Sequence, residues 1–141
     1  MSTKVKLDIL VATAVFVGAA LLVFSGREDL SPGRAHESFA AGKLRDLHKC
    51  LSSWESAHHA FPTDPSLAGC ALPSEANGYI FLYRVRLREH GAASAFTATA
   101  RPIHFGDDKC CGKLSFLVDE TGAIYMTREN RDAADRDQRI D

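Results

Sequence analysis

The spacing of apolar residues changes between residues 59 and 79, and this change constrains the fold more than any other feature of the sequence. Between residues 35 and 59, large apolar residues recur at steps of three to five, the spacing of a helix with one buried stripe. From Tyr79 onwards the step is two, which is the spacing of strands. One long helix followed only by strands predicts an α+β domain in which the helix covers one face of an antiparallel sheet. The stripe consists of Phe39, Leu44, Leu47, Leu51, Trp54 and His58.

About four strands are expected after the helix, which must end before Pro62. A hairpin turn is predicted between the last two of them, because the sequence there is Asp-Glu-Thr-Gly. Helix and strands together predict a small antiparallel meander within a domain that spans residues 35–128. The predicted strands lie at residues 79–87, 96–101, 114–118 and 123–126.

A continuous apolar run with one polar interruption lies at residues 9–24. At 1.5 Å per residue it reaches about 24 Å, somewhat less than the roughly 30 Å hydrocarbon core of a bilayer. With its flanking residues it predicts a single transmembrane helix within residues 1–26, followed by a polar linker at residues 27–34. One alternative is a buried core helix, although no second stretch of comparable apolarity exists for it to pack against. The other is a secretory signal peptide, because Lys4 and Lys6 before an apolar stretch also fit one.

The two lysines before the apolar run indicate a topology. Lys4 and Lys6 place the N-terminus in the cytoplasm by the positive-inside rule, so we expect the following domain on the periplasmic side of the inner membrane. Within the run, Ala14 and Gly18 stand at the spacing at which small residues let helices pack closely in a bilayer. They are the candidate docking site for another membrane subunit.

Composition and charge exclude several functional classes. The chain has 17 Lys and Arg against 18 Asp and Glu, a net charge of −1, and so lacks the basic excess that nucleic-acid binding requires. Its 45% hydrophobic and 25% charged residues are ordinary for a globular protein. The sequence has no phosphate-binding glycine loop, no G-x-S-x-G motif and no H-E-x-x-H motif. We therefore expect no catalytic residues, no cofactor and no nucleic-acid partner.

Four cysteines offer the clearest candidate chemistry. If the domain lies outside the cytoplasm, Cys50, Cys70, Cys110 and Cys111 are expected to form disulfides. Neighbouring cysteines rarely bond to each other, so the expected arrangement pairs one of Cys110 and Cys111 with Cys50 and the other with Cys70. Free thiols are one alternative. The other is a metal site that adds His48 or His104, although the chain lacks the Cys-x₂₋₄-Cys spacing of structural zinc sites.

A row of basic residues occupies one face of the first predicted strand. Arg84, Arg86 and Arg88 alternate with its apolar residues, which makes them a candidate basic docking face for an acidic partner or for lipid headgroups. The alternative is a solvated row, or one paired with acidic residues of the tail. That tail, residues 129–141, is highly charged, and we expect it to trail over the surface or to be disordered.

Several short motifs follow the predicted helix in an order that is also found in a known protein family. Residues 61–67 read Phe-Pro-Thr-Asp-Pro-Ser-Leu after the helix, and residues 115–124 read S-F-x-x-D-x-x-G-x-I. With the strand sequences at residues 78–83 and 96–102, this order resembles that of type IV pilins and of the major pseudopilin of type II secretion. The resemblance covers residues 35 to 128. It implies an N-terminal transmembrane helix with an amphipathic continuation, a loop and a small antiparallel sheet.

The N-terminus departs from the pattern of that family. Prepilins carry a Gly before a Phe or Met at the processing site and a Glu early in the mature helix, whereas residues 6–9 contain no Gly and the apolar run contains no Glu. The resemblance therefore implies a pilin-like domain on an unprocessed anchor rather than a filament subunit.

Three functions remain open on these observations. We expect a non-catalytic structural or accessory subunit of a larger membrane-associated complex, whose partners are other membrane subunits and the lipid bilayer. One alternative is a pilin or pseudopilin of a type IV pilus or type II secretion system with a degenerate leader. Another is a membrane-tethered binding or redox protein that uses the cysteine cluster.

Overall fold

The computed structural model describes residues 31–87, 91 and 93–140, apart from the side chain of Ser94. Its first element is one long helix, α1, which spans Pro32–His58. Pro32 occupies the first helical turn, where its missing N–H costs nothing. The helix ends at His59, whose φ of 56° is left-handed and whose N–H donates to the carbonyl of Glu55 at 2.7 Å. The helix predicted at residues 35–59 is confirmed, with a start three residues earlier.

Six strands follow the helix and form one antiparallel sheet in the order β1-β2-β3-β4-β5-β6. Every strand pairs with its neighbour in sequence, so the sheet is a meander. A 3-10 helix at Pro65–Ala68 connects α1 to the sheet. The strands are β1 (Glu75–Ala76), β2 (Tyr79–Leu87), β3 (Ala93–Pro102), β4 (Ser115–Asp119), β5 (Ile124–Thr127) and β6 (Gln138–Arg139).

The core lies between one face of α1 and the inner face of the sheet. Leu44 and Leu51 are fully buried on the helix, as are Tyr79 and Val118 on the strands. In the register of β2, β3 and β4, alanines of β3 stand opposite large residues: Ala98 pairs with both Tyr83 and Val118. These small side chains in the middle of the sheet leave room for the helix to approach it.

The prediction of the fold class was wrong in two respects. The transmembrane helix that it included is not supported, because no helix in the described part of the chain is long and apolar enough to cross a membrane. The predicted anchor at residues 1–26, including Ala14 and Gly18, lies outside the described residues. The sheet has six strands where about four were expected, because β1 and β6 contain two residues each and are too short to show a period.

Residues 129–140 of the charged tail lie mostly exposed at the surface, as an ordered turn and a short strand rather than as a disordered segment. Arg131 donates two hydrogen bonds to the carboxylate of Asp137, at 2.7 and 2.6 Å, and the N–H of Ala134 donates to the same carboxylate. Ala133 is only 4% exposed inside this turn. After it, β6 pairs with β5. The two hydrogen bonds from the guanidinium of Arg131 thus hold the tail in a turn. A hydropathy pattern does not reveal such a contact.

Candidate functional site: a groove at the sheet edge

The cysteines form two disulfides, but not with the predicted connectivity. Cys50 bonds to Cys70, with a Cα–Cα distance of 5.8 Å, and Cys110 bonds to its neighbour Cys111. The predicted pairing of Cys110 and Cys111 with Cys50 and Cys70 was therefore wrong. All four sulfurs are oxidised, and among the described residues no group of three or more His, Cys, Asp or Glu side chains is placed to hold a metal ion.

The position of the loop between β3 and β4 explains this pairing. This loop is fastened near the start of α1, where the N–H of Lys113 donates to Glu37 at 2.8 Å. Cys50 lies thirteen residues further along the helix, which is about 20 Å at 1.5 Å per residue, beyond the reach of the loop. Cys50 instead faces the segment that returns after the helix, where Cys70 lies.

The loop that carries Cys110 and Cys111 is packed against the turn before β2. Gly78 has a φ of +78°, and a Cβ atom there would lie 2.3 Å from the carbonyl oxygen of Cys110. Only glycine therefore fits beneath the cysteine pair. Cys111 is 1% exposed. Cys111 is therefore part of the domain's packing, while Cys110 is partly exposed.

The segment after α1 is held rigidly by short-range hydrogen bonds. Asp64 accepts from the N–H of Ser66 at 2.8 Å and from its hydroxyl at 2.6 Å, and these bonds lower the pKa of the Asp64 carboxyl. Gly69 ends the 3-10 helix with a φ of 69°. The N–H of Cys70 then donates to the carbonyl of Pro65 at 3.0 Å. The resulting turn presents Leu67 to solvent at 65% exposure.

An open groove lies between this segment and strand β2; we call it the edge groove. Its volume is about 670 Å³, and its walls are residues 64–66 and 69–74 on one side and residues 81–83 of β2 on the other. Cys70 lies in the groove wall, so the Cys50–Cys70 disulfide ties that wall to α1. The apolar side chains of the lining are those of Pro65, Leu72, Pro73, Phe81, Leu82 and Tyr83.

Tyr83 joins the groove to the end of the helix. Its hydroxyl donates to the carbonyl of Pro62 at 2.8 Å. Burial, with a smaller contribution from the Asp64 carboxylate, raises the pKa of Tyr83 to about 12. The hydroxyl therefore stays protonated and keeps donating at neutral pH. Nearby, the N–H of Phe61 donates to the carbonyl of Ala93 at 3.1 Å, which fixes the chain as it leaves the helix.

The outer edge of β2 is covered only at its start. β1 pairs with Tyr79 and Ile80, and the N–H of Phe81 donates to the carbonyl of Ser74 at 2.9 Å. Beyond Phe81, no strand in the described part of the chain lies on this side of β2. Within the described part of the chain, the backbone of Tyr83 and Val85 therefore lies at a free strand edge of β2. The edge groove lies beside the beginning of this edge.

The basic row lies on the outer face of the sheet, away from α1. Arg84 and Arg86 are exposed and stand opposite Thr97 and Ala95 of β3, while Arg88 lies outside the described residues. On the same face, Ile80 is 44% exposed and Leu82 is 42% exposed. The structure thus places the arginines beside an apolar patch and next to the free edge. Their role as a docking face stays a prediction.

The comparisons with protein-family models, with curated proteins and with solved structures find no match to this chain. The resemblance to pilins and pseudopilins therefore stands on the sequence motifs alone.

Sequence reasoning did not anticipate the edge groove. Its wall is an irregular segment rich in proline and glycine, which has no hydrophobic period. The available signal was the close succession of Pro62, Pro65, Gly69 and Pro73 between an apolar helix and an apolar strand, which is typical of a rigid loop held against a core.

Proposed function

We propose that this protein is a non-catalytic binding and assembly subunit of a larger extracytoplasmic complex, and that the edge groove receives another polypeptide of that complex. The observation that carries the proposal is the groove itself. It has a volume of about 670 Å³ and a mostly apolar lining, and it lies beside the free strand edge of β2. An extended polypeptide can hydrogen-bond to several successive backbone groups of such an edge, which a small molecule is too short to do.

The rigidity of the groove wall supports a role in binding. The Cys50–Cys70 disulfide, the capped 3-10 helix and the hydroxyl of Tyr83 fix both sides of the groove before a partner arrives. A preformed surface loses little conformational entropy on association, so more of the contact energy appears as affinity. Leu67, which follows the lining residue Ser66 in sequence and is 65% exposed, adds apolar surface that a partner can bury.

The disulfides support an extracytoplasmic location. Disulfides persist in the periplasm and in other oxidising compartments and are rare in the cytoplasm. The net charge of −1 supports a protein partner rather than nucleic acid. The domain therefore belongs among other subunits outside the cytoplasm.

A pilin or pseudopilin is the second candidate. It is favoured by one observation, the long helix packed on an antiparallel meander in the order that the sequence resemblance implies. The two candidates differ in the processing of the N-terminus and in the size of the assembly. A processed chain in a filament fraction supports a pilin, and an unprocessed chain in a complex of defined size supports an accessory subunit.

Site-specific photo-crosslinking tests the binding role. Benzoyl-phenylalanine replaces Leu67, which is exposed and follows the lining residue Ser66, and, as a matched control, the exposed Lys49 of α1. The chain is produced at native level and irradiated in cells, and the products are separated by native electrophoresis and identified by intact mass.

Crosslinking from Leu67 to one stoichiometric partner, with none from Lys49, is the expected result. Equal crosslinking from both positions, or a chain that runs as a monomer and gives no product, contradicts the binding role.

A further inference from the structure

We infer that the partner adds an extended strand to the free edge of β2, beside residues 83–87, and that this strand carries acidic side chains opposite Arg84 and Arg86. The inference rests on the proposed binding function and names the chemistry of the partner. It follows from three features of β2: the direction of its backbone groups, the apolar groove beside it, and the charges on its outer face.

The backbone of β2 offers a ready row of partners for hydrogen bonds. In an antiparallel ladder the N–H and C=O of one residue point to the same side, and successive residues alternate between sides. Phe81 donates towards β1, at Ser74, so Tyr83 and Val85 also direct their N–H and C=O groups to that side. Neither residue has a backbone partner there within the described ranges. An incoming strand continues the row that β1 begins.

The side chains along this edge define the two faces of the incoming strand. Tyr83 and Val85 are half-buried on the inner face, next to the apolar lining of the edge groove. Side chains of the incoming strand that point inward meet Leu72 and Pro65 and are best apolar. Alternate side chains point outward and lie beside Arg84 and Arg86, where carboxylates are favoured. The expected partner therefore alternates apolar and acidic residues.

Charge disfavours a second copy of this chain as the occupant. An antiparallel pairing of two β2 edges that uses residues 83–87 fully puts Arg84 of one copy opposite Arg86 of the other, twice. Like charges directly opposite each other destabilise strand pairing, and charged side chains on an edge are a common means of preventing self-association. An acidic strand turns the same two positions into favourable pairs.

Arg84 is the better position for a test of this charge rule. Arg86 lines a hollow together with Glu120, so a change of charge at Arg86 would also alter the surroundings of that carboxylate. The matched control is Arg45, which is exposed on α1, away from the sheet edge. Arg84→Glu and Arg45→Glu make the same change of net charge, and only the first alters the edge.

Binding of synthetic strands to the full oxidised chain tests the inference. The probe is a fluorescent peptide of sequence Thr-Val-Glu-Val-Glu-Val-Thr with blocked ends, and its counterpart has lysine in place of glutamate. Two further versions carry N-methyl groups on alternate residues, one set at the glutamates and the other at the flanking valines. Because a strand presents alternate amides to its neighbour, only one of the two methylated sets removes hydrogen bonds to β2. Affinity is measured by fluorescence anisotropy.

The expected results differ from those of non-specific binding of the peptides to the apolar groove. The acidic peptide binds more tightly than the basic one by about tenfold, and Arg84→Glu reverses this preference while Arg45→Glu leaves it unchanged. One methylated set abolishes binding and the other retains it. Val85→Pro, which removes an N–H that points away from β3, weakens binding of the acidic peptide, whereas Val85→Thr does not.

Four results overturn the inference. Equal binding of the two methylated peptides refutes strand addition, and equal binding of the acidic and basic peptides refutes the charge rule. Absence of binding by every peptide, while Leu67 still crosslinks to a partner, refutes this inference and leaves the proposed binding function standing. Loss of both the peptide binding and the crosslink refutes this inference and the proposed binding function together.

Discussion

The two disulfides are expected to contribute very unequally to stability. Cys50 and Cys70 are separated by 20 positions. Closing a loop of that size restricts the unfolded chain and so raises the free energy of unfolding by about 3 kcal/mol. Cys110 and Cys111 are separated by 1, so the part that depends on loop length vanishes and about 0.6 kcal/mol remains. For a domain of this size, a loss of 3 kcal/mol lowers the melting temperature by roughly 12–15 °C.

Paired alanine variants test this difference. Cys50→Ala with Cys70→Ala removes one disulfide, and Cys110→Ala with Cys111→Ala removes the other. Alanine avoids placing an unpaired hydroxyl at Cys70 and Cys111, which are 2% and 1% exposed. Urea and thermal unfolding are followed by circular dichroism, with and without a phosphine reductant. Under reduction, the stability of the wild-type chain should fall close to that of the variant without the Cys50–Cys70 disulfide, and not to that of the variant without the Cys110–Cys111 disulfide.

The pairing itself is checked by a trypsin digest without reduction. Cleavage after Lys49 and Arg84 releases Cys50 and Cys70 on one peptide, and cleavage after Lys109 and Lys113 releases the other pair on a tetrapeptide. The structure predicts two separate peptides, each lighter than its reduced form by two hydrogens. One crosslinked species containing both peptides refutes the pairing, and equal destabilisation of the two double variants refutes the argument from loop length.

Three further predictions concern single positions. Leu44→Ala, at a fully buried site between α1 and the sheet, should cost about 3 kcal/mol in urea unfolding, whereas Leu67→Ala should cost less than about 0.5 kcal/mol; equal effects would contradict the assigned core. Gly122→Ala should cost about 1–2 kcal/mol, because Gly122 has a φ of +85° and a Cβ there lies 2.7 Å from the His48 ring; an unchanged urea midpoint would contradict this. Hydrogen bonds from Arg131 hold the pKa of Asp137 at about 2, below its ordinary value of 3.8, so the pair stabilises the fold above pH 4 and loses this contribution as the pH falls towards 2. The melting temperatures of wild type and Asp137→Asn should therefore differ at neutral pH and converge near pH 2, and a constant difference would refute the role of the pair.

The parts of the fold with a regular period were predictable from the sequence. The stripe of α1 and the alternation along β2 each extend over several repeats, so both elements lie close to where the pattern puts them. The hairpin between β4 and β5 was predictable because Asp119 and Gly122 supply the side-chain cap and the positive φ that its turn requires.

Contacts between distant segments were not predictable in the same way. The disulfide pairing depends on where the β3–β4 loop meets α1, and that position is fixed by Glu37, 76 residues away from its partner Lys113. The order of the tail depends on the geometry of one ion pair between Arg131 and Asp137. The edge groove exists because β1 stops after two residues while β2 continues. None of these features leaves a period in the sequence.

The position of Cys70 in the groove wall links the shape of the groove to the redox state of its surroundings. A newly made chain in a reducing compartment has no covalent tie between this wall and α1, so any partner that binds there must also supply the free energy of ordering the wall. Export to an oxidising compartment closes the bond and removes that cost. If the edge groove binds a partner as proposed, formation of this one disulfide delays binding until the chain is in an oxidising compartment.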